Sequence, residues 1–302
     1  MYTRHFFFVF LFICFSYSQH ASSAATVIKD YKIQGISDEL EKNVELYIKQ
    51  LIDEKTSKAL KRHAKSQVEM SLKALGYYKP TIKISFDNAQ QLLIVDVERG
   101  PVTRIADINV TITGAGKDDA EFMSAVNSIK IKQGDFLNHG KYEAARKGIE
   151  SQLLELGYFD AKWHEHKLAV SLKNNSAKVI FNVDTGPRYQ FGDITIGSET
   201  PAEKYIRSLA EFKHGQPYKA TEFSDYNLAL SSTPYFTSVR VYADIAKRKD
   251  NQVPVNVDVL HKPANSYEIG GGFNTDFGPK VRFKWTKPWI TEDGHYLESN
   301  LN

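Results

Sequence analysis

Leu75-Gly76-Tyr77-Tyr78 returns 81 residues later as Leu156-Gly157-Tyr158-Phe159, and a looser copy, Thr233-Pro234-Tyr235-Phe236, follows after another 77. Two further markers keep nearly the same spacing. Gly134-Asp135-Phe136 is answered 81 residues on by Gly215-Gln216-Pro217-Tyr218, and Gly100-Pro101 is answered by Gly186-Pro187. Three independent markers with a period of about 80 indicate a tandem repeat, and such a period decides the architecture before any single element does. The chain therefore reads as three copies of one unit, over 26–98, 99–185 and 186–264, followed by a different stretch at 265–302.

Within the second unit, residues 102–113 alternate as a strand and 118–127 suit a short helix. Tyr142, Ala145, Ile149, Leu153 and Leu156 follow at spacings of 3, 4, 4 and 3, the apolar stripe of an amphipathic helix. Gly157 stands where a left-handed cap ends that helix. Two strands, 161–170 and 178–184, are parted by the turn-prone Asn174-Asn175-Ser176. The first unit gives strands at 28–36, 81–86 and 92–97 around two helices, and the third gives 189–196, 239–244 and 253–260. The predicted fold class is α+β: β-α-α-β-β units with helices on one face of a three-stranded sheet. The aromatics after Gly76 and Gly157 are expected to fill the gap between helix and sheet. Gly100-Pro101 and Gly186-Pro187 are expected to be tight turns, leaving a fairly rigid arm.

The final stretch changes pattern. Tyr267, Ile269, Gly271 and Phe273 alternate with Glu268, Gly270, Gly272 and Asn274; Val281, Phe283 and Trp285 alternate with Lys280, Arg282, Lys284 and Thr286. A shorter alternation runs through Leu297, Ser299 and Leu301, and Trp289 adds a second tryptophan near one end. One apolar face, one polar face and interfacial aromatics are the pattern of an outer-membrane β-barrel, with a small soluble antiparallel sheet as the alternative. A barrel needs about eight strands or more. Fewer than three stand here, so the expectation is either the start of a longer barrel or no barrel.

The first 25 residues read as a secretory signal peptide: Arg4, the apolar block 6–15, then small residues around Ser22-Ser23-Ala24-Ala25. The only cysteine, Cys14, lies inside it, so the mature region offers no disulfide, thiol nucleophile or cysteine metal site. The 302 residues carry 39 Lys+Arg against 36 Asp+Glu, and a net charge of +3 argues against a nucleic-acid groove.

The order export signal, three units, barrel onset resembles the POTRA-plus-barrel proteins of the outer-membrane assembly superfamily. Thr275-Asp276-Phe277-Gly278-Pro279-Lys280-Val281, and Lys284-Trp285-Thr286-Lys287-Pro288-Trp289 through Gly294-His295, are similar to the barrel entry of its translocation-and-assembly-module branch. Leu75-Gly76-Tyr77-Tyr78-Lys79-Pro80 and Gly186-Pro187-Arg188-Tyr189-Gln190-Phe191-Gly192 resemble that branch's repeats. A count of three separates the chain from BamA-like proteins and from two-partner secretion transporters, which carry more and fewer. The branch's barrel-loop Arg-Gly motif would lie beyond the strands read here. The resemblance implies periplasmic repeats on an outer-membrane protein, with no nucleic acid and no cofactor. It implies an inner-membrane-anchored TamB-like partner, unfolded outer-membrane clients such as autotransporters, and contact with outer-membrane lipid. The alternatives are a two-partner-type secretion pore and a soluble periplasmic scaffold.

Catalytic patterns are missing from the sequence: it has neither Gly-x-Ser-x-Gly nor His-Glu-x-x-His, and Gly270-Gly271-Gly272 lacks the rest of a phosphate loop. His164-Glu165-His166 would place two histidines on one strand face, but no third ligand is evident. No catalytic, cofactor or metal residue is assigned. Binding remains, and an unpaired sheet edge can accept an extended peptide as an added strand. The resemblance puts the third strand of each unit in the centre. The candidate edges are then the second strands, 81–86, with Lys83, Ile84 and Ser85, and 239–244. Ile269, Gly270, Gly271, Gly272 and Phe273 form a candidate gate strand, because glycine weakens a strand interior by about 0.5–1 kcal/mol each.

Overall fold

The computed structural model describes residues 25–197, 199–275, 278–291 and 294–301. The signal-peptide reading of residues 1–24, with Cys14, lies outside the described residues, as do Asp276-Phe277 and Glu292-Asp293 in the two turns. The first repeat comprises β1 (Asp30–Gln34), α1 (Asp38–Ile48), α2 (Lys58–Ala74), β2 (Thr81–Asp87) and β3 (Leu92–Glu98). The second comprises β4 (Arg104–Thr113), α3 (Ala120–Asn127), α4 (His139–Glu155), β5 (Lys162–Ser171) and β6 (Ser176–Asp184). The third comprises β7 (Gln190–Ile196), α5 (Glu203–Ser208), α6 (Ala220–Ser231), β8 (Phe236–Ala243) and β9 (Gln252–His261). Three C-terminal strands follow: β10 (Ser266–Asn274), β11 (Gly278–Lys287) and β12 (Leu297–Leu301).

All three repeat sheets share one order, β1-β3-β2, β4-β6-β5 and β7-β9-β8. The third strand of each repeat is central, parallel to the first and antiparallel to the second. Alternation explains this choice. Val95 and Val97 in β3, Val179, Phe181 and Val183 in β6, and Val253, Val255 and Val257 in β9 are all buried. The helices meet them with their own stripes, Ala64, Val68 and Leu72 in α2 and Ala145, Ile149 and Leu153 in α4. Each fully buried aliphatic side chain contributes about 1.5–3 kcal/mol relative to exposure, so the helix face carries the fold.

Two boundaries move for local reasons. The strand read from 102 starts at Arg104, because Val102 is spent on an isolated bridge with Tyr77. The helix read from 118 starts at Ala120, because the Asp119 side chain accepts the Glu121 and Phe122 amides at 3.0 and 3.2 Å and so caps it.

The chain divides into two compact units. One ends at Gly100 and excludes Ala74–Tyr78; the other takes in that segment and everything from Pro101 onward. Inside the second unit, repeats two and three are joined without slack. Gly157 has φ +78°, and a Cβ there would lie 2.8 Å from the Cβ of Tyr218, so glycine is needed both for the cap and for the approach. Tyr158 fills the gap between helix and sheet as expected, fully buried against Phe122. Phe159 does not. It packs on Tyr189 and Tyr218 of the third repeat, at ring-centroid distances of 5.7 and 5.0 Å. Asp119 accepts from the Tyr158 hydroxyl at 2.6 Å and from Arg188 at 2.7 Å, and Asp160 accepts from Tyr189 at 2.7 Å and Arg248 at 2.5 Å. Burial alone would raise the Asp119 carboxyl. The bonds from Tyr158 and the Phe122 amide, the Arg188 charge and the Glu121 amide outweigh it and hold the group below its ordinary value.

The C-terminal strands form one antiparallel sheet, β10-β11-β12, with Tyr267 opposite Trp285 and Ile269 opposite Phe283. Phe283 in turn lies opposite Leu301. Tyr267, Ile269, Phe273, Val281 and Leu301 are exposed on one face. On the other, Lys284 pairs with Glu298 at 3.2 Å. Trp289 anchors the sheet's end on the third repeat, edge-on to Tyr235 at 5.0 Å.

Candidate polypeptide-binding edges

Strand β2 bonds only to β3, so its outer backbone faces solvent among the described residues. Ile82 and Ile84 point into the core; Lys83 and Ser85 are exposed, with Lys83 opposite Asp96 of β3. Between this edge and α2 runs an open groove of about 470 Å³, lined by Lys58, Lys61, Arg62, Lys65 and residues 82–84. The four cations sit at spacings of 3, 1 and 3, the stripe that brings side chains to one face of a helix. All four are exposed, and among the described residues none has an ion-pair partner within 4 Å. The sequence carried this stripe in plain view, but a search for catalytic patterns passes over it.

In the second repeat the edge strand β5 likewise bonds only to β6 among the described residues, but the groove between it and α4 is filled. Trp163 of β5 donates its indole N–H to Glu150 at 3.0 Å and packs on Phe181 at 5.8 Å. Arg146 bridges Glu143 at 3.0 Å and Glu150 at 2.5 Å along α4. A bulge lies between Trp163 and Glu165, where β5 steps from Val183 to Asn182 of β6. The alternation breaks at His164, so His166 lies on the face of Trp163, 5.6 Å from its ring, and the two histidines do not share one face as the sequence suggested. Among the described residues no group of three or more His, Cys, Asp or Glu is placed to hold a metal ion.

In the third repeat the edge strand is β8, and the reading of 239–244 is displaced. The strand runs Phe236–Ala243, while Asp244 lies beyond it and accepts the Lys247 amide at 3.2 Å at the head of a short turn. Arg240 there lies over the Tyr242 ring, 4.5 Å from its centroid. The first strands β1, β4 and β7 are also edges, which the sequence reading did not single out. The glycine-rich segment Ile269–Phe273 lies in β10, whose one partner among the described residues is β11. A Cβ at Gly271 or Gly272 would meet nothing within 4 Å, so no close approach within this sheet demands glycine.

Residues 30–99 match the family described as "POTRA domain TamA domain 1", and residues 104–186 match POTRA, described as "Surface antigen variable number repeat". The two matches together span half of the chain. The chain belongs to the POTRA family. The first POTRA repeat is of the TamA type, and the third repeats the same strand order. Among solved structures, a crystal structure of BamA from Haemophilus ducreyi lacking POTRA domains 1–3 is 19% identical with TM-score 0.51. That comparison covers 65% of this chain and 36% of the other, and it shows a shared fold. BamA POTRA3–5 of Haemophilus influenzae is 16% identical with TM-score 0.44, over 78% of this chain and 96% of the other. CdiB from Acinetobacter baumannii is 12% identical with TM-score 0.39, over 88% and 47%. Among the described residues no helix is long and apolar enough to cross a membrane, which leaves crossing by strands untouched.

Proposed function

We propose that the chain is the periplasmic arm and barrel start of a non-enzymatic outer-membrane protein assembly factor of the translocation-and-assembly-module type. The observation that carries this is the unpaired edge of β2 in a first POTRA repeat of the TamA type. Strand addition suits such work. Main-chain hydrogen bonds give affinity for any extended segment, so one edge serves many clients. The repeats, boundaries near 98, 185 and 264, lie in the periplasm after removal of the signal peptide, and the first binds a TamB-like inner-membrane partner or an unfolded client such as an autotransporter. The exposed apolar face of β10 and β11 faces lipid, and β10 is the gate strand at which a client hairpin enters the outer membrane.

Capture at the edge tests the first half. Along an edge strand alternate amides point outward, so proline at Ile84 and, separately, at Ser85 removes an outward donor in one of the two variants. That variant should fold, by circular dichroism, yet lose photo-crosslinking of client or partner from a probe at Thr81, whereas Lys83→Ala should not. Equal loss from the folded proline and the alanine variant overturns strand addition. For the gate, Gly271→Val introduced in cells should slow client insertion while the protein still reaches the membrane. Unchanged insertion with raised thermal stability refutes it.

A further inference from the structure

We infer that the groove of the first repeat selects extended polypeptide segments carrying acidic residues at alternate positions, an inference that rests on the strand-addition reading. A strand added beside β2 would turn every second side chain toward the helix layer, at intervals of about 7 Å. There it meets Lys58, Lys61, Arg62 and Lys65, which span about 10 Å of α2. The match is therefore two or three carboxylates, spaced two residues apart, on one face of the incoming strand. Charge complementarity names this occupant. The cations have no carboxylate within ion-pairing distance among the described residues, and neither Ile82 nor Ile84 brings a charge to the groove. The nearest acidic side chains on the same two elements, Glu69 and Asp87, lie beyond the lining. An anionic lipid surface would satisfy the cations but not the row of outward backbone groups on β2; an acidic strand satisfies both. The second repeat shows the alternative state of the same architecture, where Glu143 and Glu150 already occupy Arg146.

The test uses the full chain and three labelled octapeptides of alternating valine and glutamate, glutamine or lysine, read by fluorescence anisotropy at low salt. The glutamate peptide should bind about tenfold more tightly than the glutamine peptide, the product of several exposed ion pairs, with the lysine peptide weakest. The variant K58Q/K61Q/R62Q/K65Q should bind the glutamate and glutamine peptides equally. The folded edge-proline variant should lose all three. Equal affinities for the unaltered chain, still abolished by the proline, overturn the acidic selection and leave strand addition standing. Glutamate binding that survives the proline but not the quadruple change overturns strand addition here, and the proposal with it. Displacement of the glutamate peptide by vesicles of anionic lipid, but not by neutral vesicles, assigns the groove to a membrane and overturns the proposal.

Discussion

The first and second repeats bury the same surface and treat their charges oppositely. At an offset of 81 residues, Ala64, Val68 and Leu72 stand where Ala145, Ile149 and Leu153 stand, all buried. At the same offset Arg62, Lys65 and Glu69 become Glu143, Arg146 and Glu150, Ile82 becomes Trp163, and Asp38 becomes Asp119. In the second repeat each of these charges has a partner. In the first, Asp38 is exposed and its helix has no side-chain cap, while the cations of α2 stand apart from any carboxylate. A core specifies the fold and leaves the helix-to-edge surface free to vary. One repeat uses that surface to close itself, and the other leaves its cations unpaired among the described residues.

The largest break in the comparison should come at Asp119. Asp119→Ala removes a helix cap and strands the Tyr158 hydroxyl and the Arg188 guanidinium, at a cost of about 3 kcal/mol. Denaturant unfolding of the variant should show it, and Asp38→Ala in the first repeat should cost almost nothing. The same contacts set a pH dependence. Asp119 is held below its ordinary value, and Asp160 likewise by the hydroxyl of Tyr189 and then by Arg248. A depressed carboxyl contributes stability that is complete above the unfolded pKa and is lost as pH falls through the folded one. Stability of the second unit should therefore decline below about pH 4, and Asp119→Ala should flatten that decline. A steep acid transition retained in Asp119→Ala places the sensitive group elsewhere.

Trp163 comes next. Trp163→Ala loses packing on Phe181 and the bond to Glu150, and because the side chain is only half-buried the cost should be about 2 kcal/mol. It should also open the groove between β5 and α4. If the two repeats differ by coverage, the variant gains peptide capture at Glu165; if it stays silent once folded, coverage is not what distinguishes them.

What the sequence displayed and what it hid divide along the same line. Period, helix stripes and strand alternation are consequences of burial, so Tyr142 to Leu156 and the strands around Asn174-Asn175-Ser176 were legible. The apolar face of 267–285 was legible by the same alternation, although its Tyr267, Ile269, Phe273 and Val281 are exposed. Pairings between distant residues leave no periodic trace. Phe159 looked like a second plug for its own repeat, yet it serves the third; the bulge at His164 undid a histidine pair that strict alternation had put on one face. The four cations of α2 had a clear helical spacing, but their lack of partners is a property of the folded surface alone.

The smallest effect is the most discriminating. Arg62→Glu writes the second repeat's sequence of charges, acid, base, acid, onto α2 at spacings of three and four. Such pairs stabilise a helix by about 0.2–0.5 kcal/mol, so unfolding should shift only slightly, toward higher stability. Binding should move further than folding. One cation leaves the groove, Lys65 gains an acidic neighbour at 62 to add to Glu69, and the glutamate peptide should lose several-fold in affinity while the glutamine peptide loses little. The reciprocal Glu143→Arg should not create a binder, since Trp163 still fills the groove and Glu150 still holds Arg146. A gain of acidic-peptide binding from Glu143→Arg alone would mean that charge decides and cover does not. That result would leave the two repeats differing only in the sign of one helix face.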